Sequence, residues 1–166
     1  MALLKDGFLN LEELAELPGV PSEERQEEGA VAVIECAQEI PCNPCEELCP
    51  HGAIKVGKPI TNLPVLDEDL CTGCGLCIAG CPGQAIFVVD RTYSDDDASV
   101  QMPYEFLPIP EKGSLVEGLN RAGESVCSVR VLKVSNPKSY DRTRVIRIAV
   151  PKELAMEVRS IAVTRK

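Results

Sequence analysis

The chain has 166 residues, which is enough for one domain or two small ones. Its 26 acidic and 17 basic residues give a net charge of −9, and it contains three Phe, three Tyr and no Trp. Residues 121–166 are basic, but their charges alternate with apolar residues and carry no RNA-binding signature, so we expect no nucleic-acid partner. Because no apolar run reaches about 18 residues, we also expect no membrane span and a cytoplasmic location.

The first thirty residues predict an N-terminal arm, residues 1–30. A helix is expected over residues 9–17, because Leu11, Leu14 and Leu17 fall on one side. Asn10 suits its N-cap, and the sequence Pro-Gly follows it. The next nine residues, PSEERQEEG, predict a polar turn or a second short helix. We expect this arm to dock on its own domain or on a partner.

Two runs of cysteines dominate the middle of the chain, after an apolar stretch at residues 30–34 that predicts a first strand. The first run ends before Pro50 and consists of Cys36, Cys42, Cys45 and Cys49. The second ends before Pro82 and consists of Cys71, Cys74, Cys77 and Cys81. The second spacing, C-x2-C-x2-C-x3-C-P, is typical of a 4Fe–4S cluster whose fourth cysteine ligates another cluster. The sequence therefore predicts two iron–sulfur clusters.

The first run departs from this spacing at one position. Its last three cysteines fit C-x2-C-x3-C-P, but the place of the remaining cysteine is taken by Glu39. We expect Cys36 to replace that ligand, with residues 37–41 forming an enlarged loop. The alternative is that Cys36 is a buried spectator and that the first cluster has three cysteine ligands, as a 3Fe–4S centre has.

Zinc and disulfides are the other common roles of clustered cysteines. Structural zinc usually takes paired C-x2–4-C knuckles that are separated by a longer spacer. A disulfide scaffold needs an oxidising compartment, and residues 1–20 contain no apolar signal-peptide core. The repeated triplets with a trailing Cys-Pro favour iron–sulfur clusters over both.

The two runs are halves of one repeat, because an Ala-Ile-x-Val sequence follows each Cys-Pro at the same offset, at residues 53–56 and 85–88. Residues 32–90 thus resemble a two-cluster bacterial ferredoxin. The resemblance implies an α+β fold with short β-hairpins and two small helices around the clusters. It also implies crosswise ligation, with cluster 1 held by Cys36, Cys42, Cys45 and Cys81. Cluster 2 is then held by Cys71, Cys74, Cys77 and Cys49.

Three segments complete the predicted organisation: a dicluster domain at residues 31–92, a polar linker at 93–113 and a β-rich extension at 114–166. Two alternating stretches on either side of Asn136-Pro137 predict a long β-hairpin, which must pack against something. Pro151 opens a predicted final helix over residues 154–161. The ninth cysteine, Cys127, is expected to be a buried structural thiol. The single histidine, His51, either tunes a cluster or lies at the surface.

No catalytic site is predicted, because the chain lacks a nucleophile–base pair, a phosphate loop and a dinucleotide motif. The stretch IECAQEIPCNPCEELCP resembles the small iron–sulfur subunit of bacterial multi-subunit flavin dehydrogenases, similar to hydrogen cyanide synthase and hydroxyproline dehydrogenases. This resemblance implies an electron-transfer subunit of an anaerobic oxidoreductase complex, with flavoprotein partners and a further iron–sulfur subunit. The alternatives are a free-standing soluble ferredoxin and a structural or sensory module.

Overall fold

The α-helices of the described chain are short and precede residue 81, and two 3-10 helices follow later, at Lys138–Tyr140 and Lys152–Leu154. The computed structural model describes residues 2–163. Its α-helices are α1 Ala2–Asp6, α2 Leu11–Ala15, α3 Glu23–Gln26, α4 Pro44–Leu48 and α5 Leu76–Gly80. The predicted first helix corresponds to α2, where Asn10 and Glu13 form a reciprocal capping box. The expected second short helix is α3, which begins after the N-cap Ser22.

Most of the strands belong to one antiparallel sheet that runs through both halves of the chain. The strands are β1 Val31–Ile34, β2 Ile54–Lys55, β3 Val65–Leu66, β4 Ile86–Asp90, β5 Asp97–Tyr104, β6 Leu115–Leu119, β7 Ser125–Ser135, β8 Arg144–Pro151 and β9 Ser160–Ala162. Seven of them form a sheet in the order β1-β4-β5-β8-β7-β6-β9, and β2 pairs with β3. The mixed helix and sheet content confirms the predicted α+β class.

The cysteine repeat occupies one end of this sheet. Strands β1 and β4 pair in the register Val31↔Val89 to Ile34↔Ile86, so the beginning and the end of the repeat lie side by side. The paired strands β2 and β3 and the two small helices α4 and α5 lie between β1 and β4 in sequence. Residues from the repeat form their own apolar core, which includes Ile34, Ile54, Ile78 and Ile86.

The predicted hairpin of the extension is the pair β7–β8, and it has a neighbouring strand on each side. Strand β8 pairs along its whole length with β5, from Asp97↔Pro151 to Tyr104↔Arg144. Strand β7 pairs with β6 on its other side. The hairpin therefore packs against other strands of the same chain.

The predicted linker at residues 93–113 is wrong, because it contains the central strand β5. Ala98, Val100 and Met102 are fully buried there, in the larger apolar core. Asp95 and Asp96 belong only to the turn that precedes the strand. Pro103 is tolerated since the pairing of β5 with β4 stops at Gln101, which leaves the proline without a strand on that side.

The predicted terminal helix over residues 154–161 is also wrong. A short 3-10 turn at Lys152–Leu154 leads into a single further turn, and strand β9 follows. The backbone N–H of Arg159 donates to Leu119 O at 2.8 Å, and β9 then pairs with the edge of β6. The pairing of β9 with β6, which is distant in sequence, thus outweighs the local helix propensity of these residues.

The N-terminal arm docks on its own chain. Leu9 and Leu14 are buried, and the N–H of Ile34 at the end of β1 donates to Gly19 O at 2.9 Å. A Cβ atom on Gly19 would lie 2.7 Å from the Cβ of Ile34, so this approach requires glycine. Leu11, on the same side of the predicted helix as Leu14, remains exposed.

Candidate metal centre

The structure brings the eight cysteines of the repeat into two groups of four, each around a cavity. Cavity 1 is lined mainly by apolar side chains, together with Cys36, Cys42, Cys45 and Cys81. Cavity 2 is also lined mainly by apolar side chains, together with Cys49, Cys71, Cys74 and Cys77. In each group, three cysteines come from one run and the fourth comes from the other run.

Helices α4 and α5 carry one buried cysteine each into these cavities. Cys45 follows Pro44, which occupies the first turn of α4, where a missing N–H costs no hydrogen bond. Cys77 lies in α5, which begins after Gly75 in the left-handed conformation. A Cβ on Gly80 would lie 1.9 Å from Leu48 Cδ1, so this glycine lets α5 pack closely against α4.

The cysteine at the irregular position reaches the cavity with its group. Cys36 follows shortly after β1 and lines cavity 1, as do Gln38 and Ile40 from the loop that leads to Cys42. The N–H of Cys42 donates to Ile60 O at 3.1 Å, which fastens the far end of that loop. Glu39, at the position of the missing cysteine, is exposed to solvent.

Backbone N–H groups in both halves of the repeat lie within hydrogen-bond distance of cysteine sulfurs. Ala53 N is 3.3 Å from Cys49 Sγ, and Ala85 N is 3.4 Å from Cys81 Sγ, at the same offset in each repeat. Ala32 N is 3.4 Å from Cys71 Sγ. Hydrogen bonds to sulfur are one of the factors that set the potential of an iron–sulfur cluster. The repeated alanine was visible in the sequence, but its role was not.

Burial sets the acidity of the cysteine thiols. Burial first, and then the charges of the neighbouring cysteines, raise the pKa of Cys77 to about 12 and that of Cys45 to about 11. Burial also raises the pKa of Cys36. These thiols hold their protons at neutral pH in the metal-free protein, so binding of metal by their thiolates must release protons.

The two groups suit a multi-atom ligand better than one ion. Within residues 2–163, no three His, Cys, Asp or Glu side chains are grouped closely enough to hold a single metal ion. A zinc ion needs sulfurs at about 2.3 Å from one point, whereas these sulfurs surround a cavity. All nine cysteines fall within the described residues and none forms a disulfide. A donor set of four thiols around an apolar cavity fits a 4Fe–4S cluster.

Two guanidinium networks beside the cavities were not predicted, and nothing in their sequence context marked them. Near cavity 1, Glu35 accepts from Arg121 and Arg159 of the C-terminal extension. Near cavity 2, Arg25 of the N-terminal arm donates to Cys71 O at 2.7 Å. Both involve residues that are distant in sequence, which a reading of local motifs does not connect.

The remaining two candidate residues lie in different surroundings. His51 is exposed and stands at the edge of cavity 2. Cys127 lies on β7, away from both cavities, and is partly buried against the larger apolar core. Burial, followed by the charge of Glu153, raises the pKa of this thiol.

Comparison with known proteins supports the chemistry of the second cysteine run. Residues 64–87 match the family of 4Fe-4S binding domains. An uncharacterized ferredoxin of Methanocaldococcus jannaschii is 35% identical over 78 residues, which cover 42% of this chain and 45% of that protein. A component of an ion-translocating oxidoreductase complex of Methanosarcina acetivorans is 42% identical over 57 residues, which cover 34% of this chain and 19% of that component.

A third relative is the ferredoxin-type protein NapF of Haemophilus influenzae, which is 38% identical over 53 residues, 31% of this chain and 30% of NapF. The matches therefore span less than half the length of each of these relatives. No solved structure matches the chain significantly.

Residues 64–87 are thus similar to 4Fe-4S binding domains, and part of the chain is similar to ferredoxins. The matched residues contain the complete second cysteine run, which indicates binding of a 4Fe–4S cluster. None of the helices within residues 2–163 has the length and apolar character needed to cross a membrane.

Proposed function

We propose that this chain holds two 4Fe–4S clusters and relays single electrons between redox sites on partner subunits of a larger, flavin-containing oxidoreductase. Cluster 1 is assigned to Cys36, Cys42, Cys45 and Cys81, and cluster 2 to Cys49, Cys71, Cys74 and Cys77. The observation that carries this proposal is the pair of cavities, each lined by three cysteines of one run and one of the other.

The protein's own residues shape how electrons would enter and leave. A bound cubane with four thiolate ligands supplies one-electron transfer. The N–H groups of Ala32, Ala53 and Ala85 donate toward the sulfurs and favour the more negative, reduced charge state. Cys45 and Cys77 are buried, which limits the access of water, whereas Cys74 is exposed. The side of cavity 2 at Cys74 is therefore a point where a partner's redox group can come close.

Membership of a complex is supported by an apolar surface beside cavity 1. Leu48 and Leu76 are both more than 40% exposed, and they line a surface depression that also includes Cys81. Phe106 and Leu107, which follow Glu105 of the same depression, are 65% and 72% exposed. Exposed apolar side chains that line one depression, as Leu48 and Leu76 do, are typical of protein–protein contacts. The relative from Methanosarcina is itself part of an oxidoreductase complex.

A free-standing ferredoxin is the second candidate, and one observation favours it. The long β7–β8 hairpin is covered by β5 and β6 of the same chain, so its strands need no outside partner. The extra length of the chain then serves the internal sheet and does not require a permanent complex.

Purification from the native host under anaerobic conditions distinguishes the two. We expect about eight irons and eight sulfides per chain, with larger subunits that carry FAD or FMN in stoichiometric amounts. An isolated brown protein with the same iron content and no flavin would contradict membership of a flavin complex and favour the ferredoxin. About four irons per chain would contradict the second cluster.

A further inference from the structure

We infer that the two segments flanking the cysteine repeat act as separate positioning clamps, one for each cluster. Arg25 of the N-terminal arm holds the loop of cluster 2, and Arg121 and Arg159 of the C-terminal extension hold the loop of cluster 1 through Glu35. The inference rests on the proposed two-cluster function, and its test includes a measurement that separates the two.

The clamp on cluster 2 is the guanidinium of Arg25, which donates hydrogen bonds to several backbone carbonyls. Arg25 Nη2 donates to Cys71 O at 2.7 Å and to Ala30 O at 3.3 Å. Its Nε donates to Glu68 O at 3.0 Å and its Nη1 to Gly29 O at 3.3 Å. Cys71 opens the C-x2-C-x2-C loop, so Arg25 fixes the peptide at its first ligand.

The arm that carries Arg25 is itself fastened to the same region. Ser22, the N-cap of α3, is bonded through its N–H and its hydroxyl to the carboxylate of Glu68, at 2.6 and 2.9 Å. The same stretch of chain supplies the N–H of Ala32, 3.4 Å from Cys71 Sγ. The backbone of Ala30 also packs so closely on Gly73 that a Cβ there would lie 2.6 Å from its carbonyl carbon. The arm, β1 and the cluster 2 loop therefore form one fixed unit.

The clamp on cluster 1 is an ion-pair network next to the irregular ligand. Arg121 binds Glu35 with two hydrogen bonds, at 2.9 and 2.5 Å, and Arg159 Nε lies 2.6 Å from the same carboxylate. The side chains of all three are at most 10% exposed. Arg159 is held in turn by Ala155 O and Val158 O and stacks 4.9 Å from the centre of the Phe87 ring.

Glu35 connects this network to two ligands of cluster 1. It immediately precedes Cys36, and its N–H donates to Ala85 O at 2.8 Å. The N–H of Ala85 lies 3.4 Å from Cys81 Sγ. The extension thus fixes the backbone at Cys36 and at Cys81, the ligand that enters from the other cysteine run. The loop at residues 36–42 departs from the regular spacing of the repeat. The ion-pair network thus holds the backbone at one end of this irregular loop.

The two clamps share no residue and come from opposite ends of the chain, which gives the inference a reciprocal test. The full-length, iron-loaded protein would be compared with Arg25→Gln and Arg121→Gln in anaerobic redox titrations followed by EPR. Iodoacetamide alkylation with peptide mapping would show which cysteines a variant has released. Arg147→Gln is the matched control, because the partly buried Arg147 donates to Ser99 Oγ at 2.9 Å and to Asp90 Oδ2 at 3.4 Å but lines neither cavity.

We expect Arg25→Gln to shift the midpoint potential of cluster 2 downward and to speed the release of its cysteines, with cluster 1 unchanged. Arg121→Gln should do the same to cluster 1 alone, and Arg147→Gln should change neither. A positive charge near a cluster favours its reduced state, so each lost guanidinium lowers the potential. Arg25→Lys keeps the positive charge but loses the planar guanidinium that donates to several carbonyls at once. The midpoint potential of cluster 2 should therefore return closer to the wild-type value than the rate of cysteine release does.

The inference would be overturned if Arg25→Gln or Arg121→Gln perturbed both clusters equally. It would also be overturned if these variants perturbed neither cluster. If a glutamine variant does not accumulate, the lysine variant at the same position provides the comparison. The wild-type protein provides the separate check on the proposed function. If its reduced EPR signal integrates to one spin per chain, the two-cluster assignment fails, whereas two spins with non-selective variants leave that assignment intact and remove only the clamps.

Discussion

Glu35 and Arg121, 86 residues apart in sequence, form a bidentate ion pair beside the cysteine repeat. Burial alone would raise the pKa of Glu35, but hydrogen bonds and charges from Arg121 and Arg159 outweigh it and hold the pKa below its ordinary value. Glu35 is therefore ionised at neutral pH, between two guanidinium groups. The pair joins the C-terminal extension to the strand that leads to Cys36, so repeat and extension fold as connected parts.

Removal of this carboxylate should destabilise the protein strongly. Glu35→Ala leaves two buried guanidinium groups without their anion, and the loss of one partner of a buried pair costs about 3–5 kcal/mol. We expect the midpoint of thermal unfolding, measured anaerobically by circular dichroism, to fall by roughly 6–20 °C.

The control for this variant is Glu27→Ala. Glu27 lies 2.7 Å from Arg91 Nε, but the side chains of Arg91 and Glu27 are 28% and 58% exposed. Exposed pairs of this kind contribute about 0–1 kcal/mol, so the unfolding midpoint should hardly move. Similar shifts in both variants would mean that the Glu35 network is not a buried structural element.

Local spacing was sufficient to find the two cysteine runs, but not the sheet that supports them. The cysteine runs, α2 and the β7–β8 pair each follow from short-range patterns in the chain. Strand β5 was missed because Asp95, Asp96 and Pro103 suggest a polar loop, while its burial depends on β4 and β8, which the local pattern does not reveal. The predicted final helix failed for the same reason, since β9 is fixed by pairing with β6.

The role of Cys36 can be settled by counting free thiols. If Cys36 is a ligand, the iron-loaded Cys127→Ser variant should show no thiol that reacts with iodoacetamide under native, anaerobic conditions. After acid removal of iron and sulfide in denaturant, all eight remaining cysteines should react. If Cys36 is a spectator beside a three-cysteine centre, one thiol should react before denaturation, and peptide mapping should locate it at residue 36.

The wild-type protein is the internal control for this count. Cys127 and Cys36 are both partly exposed, and burial raises the pKa of both thiols. Both should therefore react slowly, since the thiolate is the reactive form. An incubation that labels Cys127 completely in the wild type is thus long enough to reveal a free Cys36 in the variant.

Crosswise ligation predicts that damage appears far from the mutated cysteine in sequence. Cys81→Ser should weaken cluster 1 and make Cys36, Cys42 and Cys45 reactive, while Cys71, Cys74 and Cys77 stay protected. The reciprocal variant, Cys49→Ser, should expose the cysteines of the second run instead. EPR of the reduced proteins should show one altered and one unchanged signal in each case. Release of the three cysteines nearest in sequence to either mutation would show that each run binds its own cluster.

A single methyl group at Gly73 should be enough to disrupt cluster 2. Gly73 has φ +65°, where a residue with a Cβ costs about 1–2 kcal/mol, and a new Cβ would lie 2.5 Å from the Cβ of Ala30. Since neither β1 nor the loop at Cys71 can move without disturbing the other, Gly73→Ala should lower the iron content toward half. Gly83→Ala is the matched control, because a Cβ there meets nothing within 4 Å and its φ lies outside the left-handed region. Full iron content in Gly73→Ala would show that the contact with Ala30 can relax, and that this loop is not held as closely as its geometry indicates.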